Sequence, residues 1–266
     1  MTTVSEELTL DFLYLMAHKE GIGKLLDNYS LKRVESRGSG MRESIQWTVS
    51  VCISTRGHNH LTGHTEVATS GLRSSYPDEL LRRLAKERYG DPDVFVDRWS
   101  PNPKKALHVR DHENESTLCD MTGVCKFASH WWFFEKGWGI EDFARLLSTA
   151  TGVDFSVEEL NQAAEREILL ERAFNAREGI RRIDNYPFAF HYKLKYGEEH
   201  PYFDFSNLEI TLEDYDKLLD EYYRVRGCDR EGIPARQRLE QLDLKDVADD
   251  LENYGIGADN LAGIDS

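Results

Sequence analysis

The chain has 266 residues, with 33 Lys and Arg against 48 Asp and Glu, so its net charge is −15 at pH 7. This acidity argues against a general nucleic-acid binder, because phosphate backbones are bound by clustered Lys and Arg. With 40% apolar residues and no apolar run near the roughly 18 residues of a membrane span, the chain is expected to fold as one large or two modest domains outside a membrane.

The N-terminal part carries mixed signals for secondary structure. Apolar residues recur at helical spacing in the first segment, at Leu8, Phe12, Leu15 and Met16. No basic region followed by an apolar stretch opens the chain, so we expect no secretory signal and a cytoplasmic protein. Residues 46–55 are β-branched and partly alternating, which predicts a strand or a buried extended segment.

A short helix is predicted between Pro77 and Gly90, because proline suits a first helical turn and glycine ends one. Residues 91–105 contain three prolines and are predicted to be a linker or domain junction. We therefore expect an N-terminal helical or mixed region over residues 1–100 and a C-terminal helical domain over residues 101–266.

The second half of the chain has clearer helix signals. Ser156 and Glu159 form a capping box, and Thr211 begins a weaker version of the same start signal. Helices are predicted over residues 157–178, 211–227 and 245–253. The aromatic run of residues 185–192 is predicted to be non-helical, and the fold class that these signals indicate is mainly α.

The cysteines and histidines are the candidate metal ligands of this sequence. The four cysteines are Cys52, Cys119, Cys125 and Cys228. Because they are scattered and form no C-x-x-C pair, neither a disulfide framework nor a self-contained zinc site is expected. Three histidines, His58, His60 and His64, lie within seven residues and could bind a divalent metal if the backbone turned them inward. The alternative is a polar loop whose histidines hydrogen-bond locally.

A second candidate is the D-x-x-G-x-C pattern of Asp120, Gly123 and Cys125. A thiol beside a glycine turn can approach a metal cluster closely, because the missing side chain lets backbone N–H groups point at sulfur. The aspartate can accept hydrogen bonds from a heterocyclic ligand. The alternative is a buried structural thiol beside a turn, and the pattern alone leaves both open.

Four segments together resemble the C-terminal part of the tungsten-containing aldehyde:ferredoxin oxidoreductase family. Residues 56–61 are similar to its R-G-x-x-H-L element, and residues 120–127 to its D-x-x-G-x-C-K-F element. Residues 171–179 are similar to E-R-x-x-N-x-R-E-G, and residues 222–244 to Y-Y-x-x-R-G-W-D…G-x-P…L-x-x-L-G-L. Their order and spacing agree with the family.

The resemblance implies the C-terminal helical domains of an aldehyde ferredoxin oxidoreductase-like protein. Enzymes of this family oxidise aldehydes to carboxylic acids and pass electrons through a [4Fe–4S] cluster to ferredoxin, with tungsten held by two pterin dithiolenes. By resemblance, Cys125 matches a ligand of the cluster, and Asp120 and Gly123 match positions that contact a pterin. Candidates for a catalytic acid or base are His58, His60 and His108.

The sequence also departs from the family. It lacks the C-x-x-C-x-x-x-C run that supplies the other three cluster ligands, and the β-rich pterin domain. Cys228 stands where the family has Trp, and Asp243 where it has Gly. We therefore expect a split enzyme, in which a partner subunit carries the pterin domain and that run, with a ferredoxin-like electron acceptor. The alternatives are a non-catalytic scaffold or interaction protein derived from the family, and a metal-binding module built on His58, His60 and His64.

Overall fold

A computed structural model describes residues 44–63, 65, 76–129, 138–197 and 210–257. The helix predicted around residues 8–16 and the side chain of His64 lie outside the described residues. The helices in chain order are α1 Ile45–Cys52, α2 Asp78–Tyr89, α3 Lys104–Thr122, α4 Ile140–Thr151, α5 Val157–Arg177, α6 Phe188–Tyr196, α7 Leu212–Arg226, α8 Arg236–Gln241 and α9 Lys245–Asn253. Short 3₁₀ turns occupy Lys126–Ala128 and Arg182–Asn185. The mainly α fold is confirmed, and none of the described helices is long and apolar enough to cross a membrane.

The helices predicted in the second half begin where their capping residues place them. Ser156 Oγ accepts from the backbone N–H of Glu159 at 3.1 Å, and the Glu159 carboxylate accepts from the Ser156 N–H at 2.8 Å. Thr211 Oγ1 accepts from the Asp214 N–H at 3.1 Å. Each bond satisfies an N–H group that the first helical turn leaves without an intrahelical partner. These local signals therefore give correct starts for α5 and α7.

The strand or extended segment predicted over residues 46–55 is wrong, because α1 lies there. Ser44 caps α1, its hydroxyl accepting from the Trp47 N–H at 3.1 Å. All eight residues of α1 are buried. A helix buried on every side shows no apolar face, so its sequence resembles a buried strand.

The non-helical segment predicted over residues 185–192 is also partly wrong, because α6 begins at Phe188. Pro187 precedes its first turn, where a missing N–H costs no hydrogen bond. The ring of Phe190 packs against Tyr215 of α7 at 6.0 Å between centroids. Tertiary packing thus stabilises a helix in a sequence that is rich in aromatic residues.

The segment predicted to be a linker, residues 91–105, is packed rather than exposed. Val94, Phe95 and Val96 are buried and form a small core with one face of α2. The Gln46 side-chain amide of α1 donates to the Val94 carbonyl at 3.0 Å. The segment therefore connects α2 to α3 and packs against α1, while a domain boundary near residue 100 stays a prediction.

The helix α3 lies at the centre of the described fold. It packs against α1, α5 and α7, and α5 in turn contacts α4 and α9. The main apolar core lies between α1, α5, α7, α8 and α9, and a smaller one joins the end of α3 to α4 and α5. The sequence pattern does not indicate α3, because the many buried polar residues of this helix hide the apolar period.

The turn between α8 and α9 explains one departure from the family pattern. Asp243 adopts a left-handed conformation with φ of 57°. The Asp243 N–H donates to the Glu240 carbonyl at 3.2 Å and the Leu244 N–H donates to the Leu239 carbonyl at 2.9 Å. This is the double hydrogen bond of a Schellman helix end, whose left-handed residue is usually glycine. Aspartate takes a position for which the glycine of the family pattern is better suited.

We expect Asp243→Gly to raise the free energy of unfolding by about 0.5–1 kcal/mol, because glycine adopts the left-handed region without a Cβ penalty. Asp243→Val is expected to lower it by about 1 kcal/mol or more, since a β-branched residue is poorly tolerated there. Urea unfolding followed by circular dichroism measures both. Equal midpoints for the glycine and valine variants would contradict the strain assigned to this turn.

Candidate functional site

The interior of α3 is unusually polar. Its buried polar residues are Lys105, His108, His112, Glu113, Asn114, Glu115 and Ser116. Buried charges are costly unless they are paired and hydrogen-bonded. Their partners on the neighbouring helices therefore decide how α3 is held.

A hydrogen-bonded network at Glu113 joins three of the central helices. The Glu113 carboxylate accepts from Arg226 Nη2 at 2.6 Å and from the Tyr222 hydroxyl at 2.5 Å, both on α7. Arg172 of α5 donates to the same Tyr222 hydroxyl at 2.9 Å. Arg226 also donates to the Asn114 side-chain oxygen at 2.7 Å. Burial lowers the pKa of both arginines, but the interactions with Tyr222 and Glu113 outweigh it, so the pKa of each is raised and both stay charged.

One face of α5 holds the chain that follows α1. Arg172 donates to the Ile53 carbonyl at 3.0 Å, and Asn175 donates to the Thr55 carbonyl at 2.8 Å. The Thr55 hydroxyl donates to the Glu171 carboxylate at 2.5 Å. The E-R-x-x-N residues of the third motif thus fix the start of the segment that bears His58 and His60. We call residues 56–62 the histidine loop.

The Asp120–Cys125 turn lies at the C-terminal end of α3. Gly123 ends the helix with φ of 71°, in the left-handed region that favours glycine. Cys125 follows in an extended conformation at the start of the 3₁₀ turn, and its side chain is exposed. Asp120 is exposed on the last turn of α3. The structure therefore brings the three predicted site residues together at one surface.

Lys126 joins this turn to the far end of the histidine loop. Its ammonium donates to the Asp120 carboxylate at 2.8 Å and to the Leu61 carbonyl at 2.5 Å. The Ser116 hydroxyl of α3 donates to the same Leu61 carbonyl at 2.7 Å. The histidine loop is therefore held by α5 at its beginning and by α3 and Lys126 at its end.

The three histidines considered as acid or base occupy different environments. The His58 ring is buried, with Nε2 3.3 Å from the Asp184 carbonyl. Burial, with the cations of Arg88 and Lys105, lowers the pKa of His108 to about 3, so this ring is neutral inside the protein. His60 is half-buried, its ring stacked on Trp47 at 6.2 Å. Of the three, His60 is the one that directly precedes Leu61, whose carbonyl accepts from Lys126 at 2.5 Å.

The surroundings of the turn combine negative charge with exposed apolar side chains. Burial raises the pKa of Glu167, and the negative charges of Glu171 and Asp120 raise it further, against the cations of Lys126 and Arg56. Met121 and Phe127 are exposed within and just after the turn. Leu61 and Trp138 are also exposed, and their backbones hydrogen-bond to Lys126 and to the Ala128 carbonyl. Large apolar side chains grouped on a surface indicate a contact with another molecule.

The other three cysteines are not available as metal ligands beside Cys125. Cys52, Cys119 and Cys228 are buried, whereas Cys125 is exposed. Burial raises the pKa of the Cys119 thiol and raises that of Cys228 to about 11, which keeps both protonated. Among the residues that the structure describes, no group of three or more His, Cys, Asp or Glu side chains could hold a metal ion. His58 and His60 therefore do not combine into a metal site with other described residues.

Comparison with known proteins identifies the family. The family described as "Aldehyde ferredoxin oxidoreductase, domains 2 & 3" matches residues 3–244. This chain belongs to the aldehyde ferredoxin oxidoreductase family. Membership confirms the resemblance seen in the four motifs and agrees with the helical fold.

Several aldehyde ferredoxin oxidoreductases are similar in sequence. The tungsten-containing aldehyde ferredoxin oxidoreductase of Pyrococcus furiosus is 30% identical over 131 residues, covering 48% of this chain and 19% of that protein. Its counterpart from Pyrococcus abyssi is 28% identical over 153 residues, covering 57% of this chain and 23% of that protein. The matched part is thus less than a quarter of either relative.

One solved structure shares the fold of this aldehyde ferredoxin oxidoreductase family member. It is the active site complex BamBC of benzoyl coenzyme A reductase in complex with 1,5-dienoyl-CoA, with a TM-score of 0.59 and 21% sequence identity. The match covers 94% of this chain and 41% of that chain. At this identity the likeness shows the fold alone.

We expect Glu113→Gln to lower the free energy of unfolding by about 3 kcal/mol, because it leaves the buried Arg226 cation without its carboxylate. The control is Glu221→Gln, which removes the half-buried partner of the exposed Arg224 and is expected to cost about 0–1 kcal/mol. Chemical unfolding of both variants tests the difference. Equal losses would show that the buried network does not dominate the stability of the fold.

The thiols provide a second prediction. In the folded chain we expect Cys125 to react rapidly with a thiol reagent such as DTNB, because it is the exposed one of the four free cysteines. The three buried thiols should react only after unfolding in denaturant. Cys125→Ser should abolish the rapid phase, and a rapid phase that survives this substitution would contradict the burial of the other three.

Proposed function

We propose that this chain is the C-terminal part of a tungsten–pterin enzyme that oxidises aldehydes to carboxylic acids. In this proposal Cys125 supplies one ligand of a [4Fe–4S] cluster, and Asp120 and Gly123 contact a pterin. The observation that carries it is the exposed Cys125 thiol on a turn that is held by Lys126, while the other three thiols are buried. A purely structural thiol would be expected in the interior.

The donor set fits a shared cluster rather than one held by this chain alone. A [4Fe–4S] cluster is held by four thiolates, and Cys125 offers one of them. We therefore infer a partner subunit that carries the pterin domain and the C-x-x-C-x-x-x-C run. The exposed side chains of Leu61, Met121 and Phe127 are suited to the centre of such a contact.

When bound, the tungsten pterin and the cluster would supply the oxidation chemistry and pass electrons to a ferredoxin-like acceptor. The residues of this chain would bind and orient these groups. Asp120, kept beside Lys126, would accept hydrogen bonds from the pterin, and Gly123 leaves open space where a side chain would stand. His60 is the best-placed of the three histidines to hold or move a proton at its ring. An intracellular, cytoplasmic setting belongs to this proposal, since all four cysteines are free.

The test is anaerobic co-expression of this chain with a partner that carries the pterin domain and the C-x-x-C-x-x-x-C run. We expect a stable complex with the visible absorption of an iron–sulfur cluster. Cys125→Ser should remove one cluster ligand and so reduce the iron content and the colour. Cys119→Ala, which alters a buried thiol six residues away, is the matched control and should keep both.

Two results would contradict the enzyme assignment. One is a colourless complex with the native chain. The other is a Cys125→Ser variant whose iron content, colour and aldehyde oxidation equal those of the native complex. Either would favour the alternative, a scaffold or interaction protein that kept the helical domains of the family without the chemistry.

A further inference from the structure

Lys126 makes two contacts that the proposed roles of Asp120, Gly123, Cys125 and His60 do not explain. Its ammonium lies between an anionic and a neutral acceptor, the Asp120 carboxylate at 2.8 Å and the Leu61 carbonyl at 2.5 Å. The side chain of Lys126 is only 13% exposed, although it follows the exposed Cys125. An ammonium that is largely withdrawn from water and has two acceptors makes stronger, more directional bonds than a surface lysine.

The segment that Lys126 holds is closely packed elsewhere. The Asn59 N–H donates to the Val51 carbonyl at 3.2 Å, and the Leu61 N–H donates to the Asn59 side chain at 2.8 Å. At Gly63 an added Cβ would come within 3.1 Å of Ser50 Oγ and 3.7 Å of Glu113 Cα. The histidine loop therefore ends between α1 and α3, and Lys126 contacts it at Leu61.

The two functional segments begin on different helices, and at the loop end Ser116 of α3 shares the Leu61 carbonyl with Lys126. The beginning of the histidine loop is bound to α5 through Glu171, Arg172 and Asn175. Cys125 lies beyond the last residue of α3. Lys126 is covalently next to Cys125 and hydrogen-bonded to the residue next to His60, so it spans the gap between the two segments.

We propose that Lys126 is a positioning residue, which holds the histidine loop against the Asp120–Cys125 turn and sets where His60 stands relative to the Cys125 thiol. Its purpose in catalysis rests on the proposed function. The positioning itself concerns this chain alone and is testable without any cofactor. Lys126 also places a positive charge beside the thiol that is proposed as a cluster ligand.

The first experiment measures hydrogen–deuterium exchange of the full chain by mass spectrometry. In Lys126→Met the peptide that covers residues 56–63 should exchange about tenfold faster, as expected for the loss of hydrogen bonds from a charged donor. Lys126→Arg should restore most of the protection, because arginine supplies a cation with several donors. Peptides from α7 should be unchanged in both variants, which shows that the fold is intact.

Lys104→Met is the matched control, because Lys104 is an exposed lysine in the first turn of α3, the helix that precedes the Lys126 turn. It should leave the exchange of residues 56–63 at the native rate. If Lys126→Met exchanges in this peptide as slowly as Lys104→Met, the positioning role is overturned. If Lys126→Arg exchanges as fast as Lys126→Met, a cationic tie is likewise overturned.

A second readout separates this inference from the proposed function. In the cluster-bearing complex, Lys126→Met should shift the cluster reduction potential to more negative values, while Lys126→Arg keeps it near the native value. A complex that never acquires a cluster would refute the proposed function and leave the exchange result to decide the positioning role. A native potential in Lys126→Met would overturn the electrostatic part of the inference.

Discussion

The pairing of Glu113 with Arg226 is the interaction on which the described fold depends most. Both side chains are buried, and each would be costly in the interior without the other. Tyr222 and Arg172 extend the pair to α5, so that three helices share one set of hydrogen bonds. Apolar packing supplies most of the driving force for folding, but it is not directional. The polar network supplies the directional contacts, and it requires α3, α5 and α7 to lie in one mutual arrangement.

That arrangement also matters for the candidate site, because α3 connects the buried network to the Asp120–Cys125 turn. Glu113 anchors the helix in the core, and two to three turns later the same helix ends at Gly123 beside Cys125. A rigid helix transmits the position of its buried part to its terminus. The E-R-x-x-N face of α5 likewise extends from the core at Arg172 to the start of the histidine loop at Thr55. The family motifs therefore contribute mostly scaffold, and the proposed chemistry is confined to a few residues at their edges.

Local signals in the sequence predicted those elements whose ends are marked by side chains. Ser156 and Thr211 locate α5 and α7 because capping is a contact between near neighbours in the chain. The failures at α1 and α6 have the opposite cause, since these helices are specified by what they pack against. α3 was missed for the same reason: Glu113 is suitable for a buried helix only because Arg226 lies opposite, and the sequence separates them by more than a hundred residues.

The candidate site likewise has a part that local sequence predicts and a part that only the folded chain reveals. Asp120, Gly123 and Cys125 were predicted together because their spacing of three and two residues around a glycine forms one local turn. Lys126 stood in the quoted motif, yet its partners Leu61 and Asp120 could be known only from the folded chain. The prolines of residues 91–105 show the same division between local signals and tertiary packing. They mark a turn there, and burial of Val94 and Phe95 makes that turn part of the structure.

The exposure of a single thiol has a further consequence for the chain outside any assembly. A free surface cysteine is open to oxidation by peroxide and to exchange with other thiols, whereas buried thiols are shielded from both. In air, damage would therefore begin at Cys125 and reach the one sulfur that the proposed chemistry requires, while the helical core stayed intact. A preparation could look perfectly folded and yet have lost its capacity to bind iron, which makes reducing, oxygen-free handling a condition for judging what this protein does.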